Sequence, residues 1–177
     1  MSFTDAEIWR KPVFMRLKCA FFDACQNGVK GRGFPIMQIE IFTICPMAKF
    51  DGKNLTILGA LEPNTVYSPK FPAAFTLSVV VKIRFEPGEE GQHKTELVLL
   101  DADLHPVFEN QNMIQQVRNL NIHIPKNLPA IVHLNTTNFA PLQIQNPGDY
   151  YFQLSIDGKM RGQVPLFVLP APLPNPG

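Results

Sequence analysis

The run Ala74-Phe75-Thr76-Leu77-Ser78-Val79-Val80-Val81-Lys82-Ile83-Arg84-Phe85 decides the fold. Phe75, Leu77, Val79, Val81, Ile83 and Phe85 recur at every second position, with Thr76, Ser78, Lys82 and Arg84 between them. A period of two belongs to an extended strand whose side chains alternate between faces. One face is therefore expected to be buried and the other wet. After the polar turn Pro87-Gly88-Glu89-Glu90-Gly91, residues His93 to Leu100 alternate again, and the two strands are expected to pair antiparallel.

The same grammar extends in both directions. Gln38 to Cys45 alternates, and an Asp51-Gly52 turn leads to Leu55–Ala60, so the two segments read as a hairpin. Residues 61–72 carry three prolines and read as an extended connection. Downstream, Val107–Gln111, Val117–Ile124, Pro129–Asn135, Tyr150–Asp157 and Val164–Leu169 read as further short strands, the last two joined at Asp157-Gly158-Lys159. Gly148-Asp149-Tyr150 opens a strand in the manner of a tyrosine corner, where a phenol caps upstream backbone. The expectation is an all-β chain: an immunoglobulin-like antiparallel β-sandwich of about eight short strands.

Composition bounds the class. With 177 residues, 45% of them hydrophobic and 18% charged, the chain is long and apolar enough for one buried core. Its 17 prolines leave little room for long helices. Three parts are expected: an extension over residues 1–36, helical or partly flexible, a sandwich domain over 37–169 and a Pro-rich tail over 170–177. A net charge of +1 gives no field for nucleic acid or an acidic membrane, and neither partner is expected. Cys19, Cys25 and Cys45 are an odd number without CxxC spacing, which suits a reducing compartment and points to the cytoplasm.

The blocks M-Q-I-E-I-F-T-I-C-P from Met37, D-G-K-N-L-T-I-L-G-A-L, H-K-T-E-L-V-L-L-D-A-D and G-D-Y-Y-F-Q-L-S-I-D-G-K, with P-L-F-V-L after them, stand in an order that resembles a family of small bacterial proteins known as a domain of unknown function. The likeness covers about residues 37–169. It implies a fold and brings no activity or catalytic residue with it.

Few residues invite chemistry. Asp101-Ala102-Asp103-Leu104-His105 sets two carboxylates and an imidazole at alternate positions after a strand, a candidate metal site, although calcium needs six to eight oxygens and a capped polar turn explains the same residues. His93, His123 and His133 lack metal-ligand spacing, though His93 with Glu96, and His123 with His133, are pairs that the fold can bring together in space. Cys45 reads as a buried thiol. Gly28, Gly31 and Gly33 match no phosphate loop, and Lys30, Arg32, Lys49 and Lys53 lack the interleaved aromatics of a nucleic-acid binder. Among the aromatic residues, which include Trp9, Tyr67 and Phe75, Phe71 and Phe139 are the contact candidates.

No cofactor is expected and no catalytic residue stands out. The leading expectation is a non-enzymatic protein-binding or assembly module, with self-association as a homodimer one form of it. The alternative is a metal-dependent enzyme or metal-regulated domain using Asp101, Asp103 and His105. The first expects an apolar surface patch, and the second expects those three side chains to converge.

Overall fold

The computed structural model describes residues 37–59, 64–109 and 111–172, all within the unit Phe34–Gly177. The expected extension over residues 1–36, with Trp9, Cys19, Cys25, Lys30 and Arg32, lies outside the described residues, as does the end of the tail. Among the described residues there is no helix, and the strands number twelve where about eight were expected. They are β1 (Gln38–Cys45), β2 (Met47–Phe50), β3 (Leu55–Leu58), β4 (Thr65–Ser68), β5 (Ala73–Phe85), β6 (Gly91–Leu100), β7 (Phe108–Glu109), β8 (Asn112–Met113), β9 (Gln115–Ile122), β10 (Ile131–Ile144), β11 (Gly148–Ile156) and β12 (Lys159–Pro170).

Two sheets carry the fold, a three-stranded one in the order β1-β5-β10 and a five-stranded one in the order β4-β12-β11-β6-β9. Their apolar faces share a single core. Leu77, Val79, Val81, Ile83 and Phe85 of β5 pack with Leu97 and Leu99 of β6, Phe152, Leu154 and Ile156 of β11, and Leu166 and Val168 of β12. At one flank β1 abuts β12 so closely that a Cβ on Gly162 would stand 3.1 Å from the Phe42 ring. At the opposite flank β9 and β10 are the two outermost strands.

The structure corrects several expected pairings. β5 does not pair with β6: it lies between β1 and β10, while β6 lies between β11 and β9. The connecting turn, closed where the Glu89 N–H donates to the Glu86 carbonyl at 3.0 Å, carries the chain from one sheet to the other. Gln38–Cys45 pairs with β5 instead of forming a hairpin with Leu55–Leu58, whose partner is β2. Pro46 cannot donate to a ladder, so it ends β1 and starts the separate hairpin. Thr65–Ser68, expected as connection, is a strand parallel to β12. β4 and β12 are separated in the chain by β5 through β11, so no tight turn imposes the antiparallel direction on them.

The outer face of β5 is not uniformly wet. Val80 is fully buried there with Cys45 and Ala48, because the β2–β3 hairpin folds over the small sheet and makes a second apolar cluster with Ile41, Leu55, Ile57 and Leu134. Ser78, also buried, supplies the polar link: its hydroxyl accepts the Ala48 N–H at 3.2 Å and donates to Asn138 Oδ1 at 2.7 Å. At the other end of the core, the Asp157-Gly158 turn joins β11 to β12 with φ of 52° and 72°, the geometry that Asp-Gly hairpins favour.

Candidate functional site

The hairpin covers only part of the small sheet and leaves a groove of about 340 Å³ beside it. Ile41 of β1, Phe50 and Leu55 of the hairpin, and Val132 and Leu134 of β10 line it, with Lys53 and Lys82 at its rim. Phe50 and Leu55 are opposite one another across the hairpin, on the side that Ala48 and Ile57 turn to the core. Phe50 is 43% and Val132 48% exposed. The hairpin tip is tied down by Asp51, whose Oδ1 accepts the N–H groups of Lys53 at 2.9 Å and Asn54 at 2.6 Å. These donors hold the Asp51 carboxyl below its usual pKa. Lys82 is spoken for by Glu40 at 2.7 Å, whereas the Lys53 ammonium has no ion pair among the described residues.

The β10 strand borders the groove with one bare edge. Its backbone pairs with β5 alone among the described residues. On the inner side of that edge, His133, Asn135, Thr95 and Gln116 surround a cavity of only about 10 Å³. That is about the room one water needs. The side-chain oxygens of Asn135, which lines this cavity, and of Thr137 further along the same face of β10 are buried without a hydrogen-bond partner among the described residues. Burial, helped by the Arg118 cation, pulls the His133 pKa below its usual value.

The Asp101–His105 segment is a closed loop. Asp101 Oδ1 accepts the N–H groups of Asp103 at 3.0 Å and His105 at 2.9 Å, and the Asp101 N–H donates to the His105 carbonyl at 2.9 Å. Leu104 takes a left-handed φ of 63° to make the turn. Ligand atoms of Asp101, Asp103 and His105 do lie within 4.8 Å of one another, and the backbone bonds that close the loop account for that proximity. Convergence here therefore does not separate the two functional readings. Asp101→Ala is expected to cost about 1–2 kcal/mol by orphaning two N–H groups, as for loss of a cap. Asp103→Ala and His105→Ala, at exposed positions, should stay within about 0.5 kcal/mol in urea unfolding.

His93 does not join Glu96, which holds Lys94 instead at 2.6 Å. Its Nδ1 meets Asp157 Oδ2 at 2.7 Å and its Nε2 meets the Glu89 carbonyl at 3.0 Å, tying the β5–β6 turn to the β11–β12 turn. Burial lowers the His93 pKa, but the Asp157 carboxylate and the Glu89 carbonyl more than offset this, so the pKa is raised. For Asp157, burial raises the pKa, but His93 and the Lys94 N–H pull it down further, so it is lowered. A raised His pKa adds stability that is complete below the unfolded value of about 6.5 and is lost as pH rises through the folded value. The stability gap between the native chain and His93→Gln is thus expected to be larger at pH 5.5 than at pH 8. Urea unfolding at the two pH values checks this, and His133 does not disturb it because both chains carry it.

The remaining sequence candidates are distributed over the fold. His123 is exposed in the loop after β9. The Cys45 thiol is buried and donates weakly to the Met47 carbonyl; burial raises its pKa, partly opposed by that contact, leaving an inert thiol. The Tyr150 hydroxyl donates to the Asn146 carbonyl at 2.8 Å, with Gly148 and Asp149 opposite Val168 and Phe167. Phe139 lies on β10, half-buried against Phe152, and Phe71 and Phe75 pack partly on the core. Tyr67 on β4 is exposed, as is Lys49 on β2. No described helix is long and apolar enough to cross a membrane. Sequence reasoning missed Ile41, Val132 and Leu134 as site residues; the one available signal was the position of Lys53 beside the hairpin turn.

An all-β protein whose described residues form two main sheets around one core, with an apolar groove beside β10, is the class that the fold defines. Within that class the chain belongs to the family of unknown function DUF6941, whose model matches residues 40–169. No similar protein was found among curated proteins.

Proposed function

We propose that the chain is a non-enzymatic protein-binding or assembly module built as an immunoglobulin-like sandwich. The observation that carries the reading is the groove beside β10, where Phe50, Leu55, Val132 and Leu134 present apolar surface next to a strand edge that no described strand pairs. Apolar side chains left in water beside a free edge are what association with another polypeptide covers. The sandwich assignment is supported by the shared core and by the Tyr150–Asn146 corner bond. The alternative reading, metal-dependent chemistry at Asp101, Asp103 and His105, has the proximity of their ligand atoms as its one observation, and a polar turn closed by Asp101 Oδ1 accounts for the same proximity.

The test places a photo-crosslinking amino acid at Val132 in the full chain and, separately, at exposed His123. A discrete adduct from Val132 alone is the expected result, and sedimentation velocity then tells a second copy from a different protein. Equal labelling from both positions would sink the proposal.

A further inference from the structure

We propose that the groove's occupant is an extended segment of a partner protein that adds as a strand to the bare edge of β10. The inference rests on the binding-module reading and names the partner's form. Three features of one strand converge on it.

First, β10 pairs with β5 on one side only, from Ile131 through Phe139, and among the described residues no backbone group of that stretch bonds anywhere else. In an antiparallel ladder alternate N–H and C=O groups point away from the paired neighbour, so this edge offers a row of free donors and acceptors. Second, the outward-facing side chains of the stretch, Val132 and Leu134, are groove walls. A strand laid alongside would direct every second side chain into the same groove, beneath Phe50 and Leu55. Third, the inward-facing side chains at Asn135 and Thr137 hold buried oxygens without partners, and Thr137 is only 6% exposed. Buried acceptors without donors are rare in folded proteins. An added strand would place its other face next to them.

These constraints define the guest. It is extended and alternates apolar side chains, for the groove, with hydrogen-bond donors such as Ser, Thr, Asn or Gln, for Asn135 and Thr137. It carries a carboxylate for Lys53, the rim cation left unpaired while Lys82 is held by Glu40. Backbone hydrogen bonds supply attachment and the two side-chain rows supply selectivity, the usual division in strand addition.

The test selects binders from a displayed library of random twelve-residue peptides on the full chain, then maps a synthetic copy of the strongest by amide chemical shifts. Selected peptides are expected to alternate apolar and polar residues, to include Asp or Glu, and to shift the amides of Val132, Leu134 and Thr136. N-methylation of alternate peptide residues in one register should weaken binding at least tenfold while the other register is tolerated. Val132→Asp, at a position 48% exposed, should weaken it similarly. Binders that lose affinity with Val132→Asp but are indifferent to methylation in either register would overturn strand addition and leave the docking groove standing. Binders indifferent to Val132→Asp, or a selection that yields none, would overturn strand addition as well, and if the Val132 crosslinker also gave no adduct the module reading would fall with it.

Discussion

Val80→Asp is expected to cost at least about 3 kcal/mol, a large share of the roughly 5–15 kcal/mol that holds a domain together. Val80 stands on the β5 face that also carries Thr76, Ser78, Lys82 and Arg84, and it is fully buried because the β2–β3 hairpin lies over it. A carboxylate there meets the apolar cluster of Cys45, Ala48, Ile57 and Leu134. It must either stay charged without water or take up a proton, and both routes cost free energy. Thr76→Asp places the same group on the same face of the same strand, at an exposed position, and should stay within about 0.5 kcal/mol. Urea unfolding of the two variants isolates the hairpin's contribution. Equal midpoints would mean that the hairpin does not exclude water from Val80, and the groove at its edge would lose its rigid wall.

That contrast also marks how far the sequence could be read. Alternation is a local property of the chain, so β1, β5, β6, β11 and β12 were visible in it, as was the Asp157-Gly158 turn, whose φ values only a few residue types accept readily. Pairing is not local. Nothing in β5 or β6 says which neighbour each will take, since the alternation fixes the buried face and leaves the partner open. The second half of β10 was hidden by Pro141, which interior ladders reject; here it sits in an irregular stretch between Phe139 and Leu142 on an outermost strand, where a missing N–H is tolerated. The burial of Val80 is not legible locally, because its neighbours two residues away are Ser78 and Lys82 and the cover comes from a hairpin some thirty residues earlier in the chain. For the same reason the groove was illegible: Ile41, Leu55 and Val132 come from three distant segments, and only the folded sheet brings them together.

Phe152→Ala should destabilise the chain by about 3–5 kcal/mol, the range for truncating a buried aromatic ring. The residue is fully buried in the middle of β11, opposite Leu99 of β6 and Val164 of β12, and its ring centroid stands 5.3 Å from that of Phe139 on β10. It therefore joins the five-stranded sheet to the three-stranded one, and its loss opens a cavity that neither sheet can fill by shifting alone. Phe139→Ala should cost less, because that ring is half-buried and part of its surface is already wet. A double-mutant cycle on the two rings should return a coupling of about 0.5–1.5 kcal/mol, the size measured for aromatic pairs. The coupling is the informative quantity. If Phe152→Ala is costly while the coupling is near zero, β10 does not rest on β11 through these rings, and the bare edge of β10 would be free to move away from the core. A coupling in the expected range fixes β10 against the large sheet at Phe139, a few residues from Leu134, and makes its outer edge a rigid template for an incoming strand.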